Sequence, residues 1–164
     1  MGEATSPKAT IVVPVYNSAN SVQQCLDSLL AQSERSIQVV CVNDGSADDS
    51  LGVLRQIAQT DDRVLVIDQE NAGVSCARNA GIDAAKGEVV FFVDADDYID
   101  AQTAERVLQA MKSLDAEVAV FGGVCEPSDV APKRVQQLMS PKAGTFGARD
   151  PQLLYNANAQ PYAC

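Results

Sequence analysis

Two runs of β-branched and aliphatic residues, Ala9-Thr10-Ile11-Val12-Val13-Pro14-Val15 and Ile37-Gln38-Val39-Val40-Cys41-Val42, constrain this chain more than any other feature. A strand with one wet face alternates polar and apolar side chains. A run without that alternation marks a strand covered on both faces, as in a parallel sheet flanked by helices. The intervening segments supply such helices. Val22, Leu26, Leu29 and Leu30 recur at helical spacing, with Asn20 or Ser21 available as a cap, which predicts a helix to about Gln32. After Asn43-Asp44-Gly45-Ser46, the residues Leu51, Leu54, Ile57 and Ala58 repeat that spacing. Residues 64–67 predict a third strand, 75–85 a helix ended by Gly87, and 88–93 a fourth strand. Asp100 is a cap for a helix carrying Val107, Leu108 and Met111, and residues 118–121 read as a fifth strand. Pro14, which lacks an N–H, is expected to end the first ladder.

The alternation predicts an α/β fold: a doubly wound, mostly parallel, Rossmann-like sheet in a single domain. Right-handed crossovers bring the carboxyl ends of the strands to one edge, where ligands of such sheets bind. The polar clusters fall there: Tyr16-Asn17 after the first strand, Asp44 after the second, Asp94-Ala95-Asp96-Asp97 after the fourth.

Composition narrows the chemistry. With 12 basic and 22 acidic residues the net charge is −10, which disfavours nucleic acid as a partner. Histidine is absent, so acid–base work rests mainly on carboxylates. The five cysteines have no C-x-x-C spacing and read as reduced and mostly buried, the pattern of a cytosolic protein. No apolar run approaches the ~20 residues of a membrane-spanning helix. The turn after the first strand is Pro14-Val15-Tyr16-Asn17 and not G-x-G-x-x-G, which argues against a dinucleotide-dependent oxidoreductase.

Carboxylates crowded at a buried strand end need a reason, because two of them ~4 Å apart repel by up to ~4 kcal/mol at an effective dielectric near 20. A divalent cation reverses that sign, and hard oxygen ligands suit Mg²⁺ or Mn²⁺. Strand geometry puts Asp94 and Asp96 on one side. The plainer alternative is that Asp96 and Asp97 open a turn and cap the next helix. Asp44 reads as an acceptor for a nucleotide's base or sugar, or as a turn residue; Arg78 reads as a ligand for base or phosphate, or as a solvated helix residue.

Taken in order, Val13-Pro14-Val15-Tyr16-Asn17, Val42-Asn43-Asp44-Gly45-Ser46, Asn71-Ala72-Gly73 with Ala77-Arg78-Asn79, and Asp94-Ala95-Asp96-Asp97 resemble the GT-A-fold glycosyltransferases of family 2 over residues 9–121. The resemblance implies transfer of a sugar from a nucleotide-diphosphate donor, commonly a UDP-sugar. The acceptor would be a glycan or lipid-linked molecule in cell-surface or exopolysaccharide synthesis, with inversion at the anomeric carbon. It implies that Pro14, Val15, Tyr16 and Asp44 surround the nucleoside, with Asn71 and Arg78 in the same substrate-binding set. Asp94 and Ala95 would approach ribose and diphosphate, and Asp96 would meet a Mg²⁺ or Mn²⁺ ion. The expected organisation is a flexible lead at 1–8, a nucleotide-sugar-binding domain at 9–125, and the irregular start of an acceptor-side region at 126–164. In the family an acidic pair downstream supplies the base. None follows Asp96-Asp97 before Gln160-Pro161-Tyr162-Ala163-Cys164, so the base is unassigned and the chain is expected to be truncated. Glu126, Asp129 and Asp150 do not match the base by context. The full-length protein is expected in the cytoplasm at the inner face of the membrane, touching it peripherally through the missing C-terminal region.

Overall fold

The computed structural model describes residues 6–120. The elements in order are β1 (Ala9–Val15), α1 (Val22–Leu30), β2 (Ile37–Asp44), α2 (Ser50–Ala58), β3 (Val64–Gln69), α3 (Val74–Asp83), β4 (Val89–Phe92) and α4 (Thr103–Leu114). Every strand pairing is parallel and the sheet order is β3-β2-β1-β4. The chain moves outward from β1 through β2 to β3, then returns through α3 to the opposite side of β1. The strand order therefore reverses between β1 and β4, the point at which open α/β sheets take ligands.

Alternation along β1 and β2 sorts the core onto two faces. Val12, Val40, Val42 and Ala77 form one buried cluster beneath α3, with Ile67, Ala80, Ala84 and Val90 against it. Val12 sits opposite Val40 in register, which leaves Ile11, Val13, Val15, Val39 and Cys41, all fully buried, to the other face. Helix α3 lies close on the sheet because Gly81 has no side chain: a Cβ there would come within 2.3 Å of Val12 Cγ1. At the amino edge, Thr10 Oγ1 donates to Gln38 Oε1 at 2.8 Å, and the Gly87 N–H reaches Thr10 Oγ1 at 2.9 Å. That buried pair ties down the connection into β4.

Three expectations need correction. Pro14 does not end its ladder, for β1 runs on to Val15 with Pro14 opposite Val42. Val12 presents its carbonyl to the β4 side, accepting from Val93 N at 3.1 Å. Pro14, two residues on, faces the same side, past the last β4 pair at Phe92, so its missing N–H interrupts nothing. Residues 118–120 form no strand, since no described strand lies beside them to complete a ladder, and Val118 and Val120 are exposed. Not every cysteine is reduced. Cys25 and Cys41 are free and buried in the core, whereas Cys76, partly exposed on α3, is disulfide-bonded.

Residues 6–106 belong to one compact unit and Val107 begins a second. In the second, Asp115 takes a left-handed conformation (φ 49°) and the Ala116 N–H closes on the Met111 carbonyl at 2.9 Å, ending α4. Cys125, Cys164, Glu126, Asp129, Asp150 and the helix start expected at Asp150-Pro151 lie outside the described residues. No helix among the described residues is long and apolar enough to cross a membrane.

Candidate functional site

The carboxyl ends of β1 and β2 and the start of α3 enclose a cleft of about 300 Å³. Four residues singled out from sequence line it: Pro14, Tyr16, Asp44 and Asn71. Gly73, Val74 and Ala77 complete the wall; Gly73 and Ala77 stand in the sequence motifs but are given no role there, and Val74 is not marked. Tyr16 is half exposed, so its ring is presented to solvent at the rim. Val15 is fully buried, backbone included, and does not line the cleft; it lies in the sheet beneath it.

Asp44 is almost completely buried, yet it is not an orphaned charge. Its Oδ1 accepts from Gln69 Nε2 at 2.8 Å and Ala72 N at 2.9 Å, and its Oδ2 from Gly73 N at 2.9 Å. The carboxylate thus holds the turn leading into α3. Glycine is required on both sides of this junction. Gly73 has φ 90°, and Gly45, with φ 66°, lies where a Cβ would come within 2.7 Å of Asn71 N. Beside Asp44, Asn43 Nδ2 donates to Asp68 Oδ1 at 2.8 Å, extending the same ties to the end of β3.

The loops after β1 and β2 are laced together by bonds that the sequence did not announce. Asn17 N donates to Ser46 Oγ at 3.0 Å, and Ala47 N donates to Asn17 Oδ1 at 2.8 Å. Ser18 N donates to Ser50 Oγ at 2.8 Å, and Ala19 N to Asp48 Oδ2 at 3.0 Å. The Ser50 hydroxyl in turn donates to Asp48 Oδ1. These bonds, with that from Ser50 foremost, hold the Asp48 carboxyl below its usual range. Asn17 stands at φ 51°, a left-handed conformation that asparagine tolerates better than most residues.

Past β4 the chain turns, with Asp97 N donating to the Asp94 carbonyl at 3.0 Å. Exposure alternates through the approach: Phe92, Asp94 and Asp96 are exposed, Val93 and Ala95 buried. Both carboxylates are thus open to solvent, but Ala95 and Asp96 lie in a turn and not in a strand, so it is the turn and not strand alternation that places them. Arg78 on α3 donates from Nη2 to Asp94 Oδ1 at 2.7 Å and lies 5.9 Å from the centre of the Phe92 ring. Asp96 makes no hydrogen bond or ion pair among the described residues. Desolvation, then repulsion from Asp96 and Asp94, pushes the Asp97 carboxyl up.

One of the three carboxylates is paired with Arg78 and two remain in mutual repulsion, an arrangement that a cation stabilises. No group of three or more Cys, Asp or Glu side chains among the described residues is gathered as a closed cage. The donor set suits an ion that takes one or two carboxylates and fills its shell with substrate phosphate and water, as Mg²⁺ and Mn²⁺ do.

A parallel α/β sheet with its polar loops at the carboxyl edge, a lined cleft, and an acidic turn beside the strand reversal defines the class of nucleotide-binding α/β domains. The model of glycosyl transferase family 2 matches residues 10–161, and the chain belongs to that family. Glycosyltransferase GlyA of Streptococcus pneumoniae serotype 4 is 42% identical over 113 residues, covering 69% of this chain and 16% of GlyA. The crystal structure of S. aureus TarS 1-349 in complex with UDP-GlcNAc superposes with a TM-score of 0.67 at 27% identity, over 73% of this chain and 35% of that one. The mannosyltransferase PcManGT from Pyrobaculum calidifontis, in complex with GDP-Man and Mn²⁺, gives 0.62 at 28% identity over 77% of this chain and 38% of its own. The chain thus spans well under half the length of each. These likenesses agree with the GT-A architecture of the sheet.

Proposed function

We propose that this chain is the donor-binding part of an inverting glycosyltransferase that takes a sugar from a nucleotide-diphosphate donor, a UDP-sugar above all. The acceptor is a glycan or lipid-linked molecule of cell-surface or exopolysaccharide synthesis, reached at the cytoplasmic face of the membrane. One observation carries the reading: the cleft bounded by Tyr16, Asp44 and Gly73 lies against the helix whose Arg78 holds Asp94. A cleft for a nucleoside face and an acidic turn able to take a cation, and through it a diphosphate, are therefore joined through α3. Solved relatives bound to UDP-GlcNAc and to GDP-Man with Mn²⁺ support it.

In this reading Pro14, Tyr16 and Asn71 receive the nucleoside, Asp44 fixes the loop it rests on, and Val15 supports Pro14 and Tyr16 from within the sheet. Asp94 and the buried Ala95 approach the ribose and diphosphate, while Arg78 orients Asp94. Asp96 holds Mg²⁺ or Mn²⁺, which when bound neutralises the diphosphate as it leaves the anomeric carbon. Inversion requires a carboxylate to take the proton of the attacking hydroxyl, and no described residue is assigned that role. Because the chain covers 35% of the UDP-GlcNAc-bound relative, donor binding without turnover is the second reading for these 164 residues. Product formation from a panel of UDP-sugars separates the two.

Calorimetric titration of UDP with and without Mn²⁺ tests the donor site. The wild-type chain should bind at least about tenfold more tightly with Mn²⁺, a gain of about 1.4 kcal/mol, and Asp96→Ala should abolish that gain. UDP binding that ignores both the ion and the substitution refutes the metal assignment.

A further inference from the structure

We infer that Cys25, Ser28 and Gln32, a polar stripe along one side of α1 and its exit, are positioning residues that set the height and angle of the acidic turn for metal-dependent donor binding. The spacing of three and four residues places them on one helix face. Their partners succeed one another along the segment that follows β4. The Cys25 thiol donates to the Asp94 carbonyl at 3.5 Å. Ser28 Oγ donates to the Cys25 carbonyl at 2.7 Å and accepts from Ile99 N at 3.2 Å. Gln32 Nε2 donates to the Ser28 carbonyl at 3.1 Å and the Asp100 carbonyl at 2.8 Å, while its Oε1 accepts from Ala104 N at 2.9 Å. Cys25 and Gln32 are buried, as is Ala104, so these bonds are shielded from competing water. A fully buried glutamine with three backbone partners is an uncommon expense for a core position unless the backbone it holds must stand in one place. What it holds is the chain on the far side of Asp94-Ala95-Asp96-Asp97. The stripe thus fastens the turn from behind while Arg78 fastens it from α3.

The inference rests on the reading of Asp96 as the metal-bearing residue, and the test keeps the two apart. UDP is titrated into the full 164-residue chain, with Mn²⁺ and with a chelator, for wild type, Gln32→Met, Ser28→Ala and Ser28→Thr. Gln32→Met should lose about tenfold of the Mn²⁺-dependent affinity while its affinity in chelator stays within about twofold of wild type. Ser28→Ala should lose a smaller part, and Ser28→Thr, which keeps the hydroxyl, should recover it. Equal losses with and without Mn²⁺ overturn the inference, because general loosening of the fold does that. So does an unchanged Mn²⁺ gain in both Gln32→Met and Ser28→Ala. If Gln32→Met does not fold, the Ser28→Ala and Ser28→Thr pair decides alone. A wild-type chain with no Mn²⁺ gain overturns the metal reading and this inference together.

Discussion

Asp44 and Asp96 are both aspartates at the carboxyl end of the same parallel sheet, but they live in opposite conditions. Asp44 is buried and already accepts three hydrogen bonds; Asp96 is exposed and meets mainly the repulsion it shares with its neighbours. In the proposed reading the nucleoside half of the edge is finished before a ligand arrives, while the acidic half awaits a cation and diphosphate to complete it. One half is preorganised by the fold, and the other stores an electrostatic demand.

The largest expected effect lies on the finished side. Asp44→Ala empties a buried carboxylate position and leaves the half-buried Gln69 amide and two loop N–H groups without their acceptor, and should cost roughly 2 kcal/mol of stability. Denaturant unfolding checks this, and a loss below about 1 kcal/mol would make the two halves alike. Asp94→Asn, on the acidic side, should behave differently. Its side chain is half exposed, so stability should move by less than about 1 kcal/mol, while Mn²⁺-supported UDP affinity falls about fivefold. A large loss of stability with unchanged affinity would erase the contrast. The smallest effect concerns the lacing of the two loops. The folded Asp48 carboxyl titrates below its ordinary value of 3.8. Its contribution is therefore complete above that value and fades as pH falls through the lowered one. Melting of wild type and Asp48→Asn should differ slightly at about pH 5 and converge toward about pH 2; a gap that widens on acidification contradicts the sign.

What could be read from sequence was what depends on neighbours along the chain. The unbroken runs of β1 and β2 and the helical spacing of Val22, Leu26 and Leu29 are local signals, and the elements formed where they predicted. Strand β2 reaches two residues beyond its apolar run because Asn43 and Asp44 find partners 25 to 29 residues away, at Asp68, Gln69, Ala72 and Gly73. No local pattern reports such partners. The same holds for Gln32, whose contacts at Asp100 and Ala104 lie 68 and 72 residues on. Read alone it is a polar residue at a helix exit. The acidic cluster was legible because three like charges in four positions are themselves improbable. Its pairing of Asp94 with Arg78 rather than Asp96 follows from how α3 crosses the sheet, which spacing does not encode.

The unequal strand lengths at the reversal point have a consequence of their own. Pairing of β1 to β4 stops at Val12, whereas β1 continues to Val15 beside β2. Beyond the Val93 N bond to the Val12 carbonyl, β1 runs on with a ladder on its β2 flank alone. The chain after β4 is thereby released from the sheet and folds into the Asp94–Asp97 turn. Where hydrogen-bonded pairing ends decides where that corner falls, so it persists while surface residues change. Lengthening β4 would straighten the corner and draw its carboxylates into a strand.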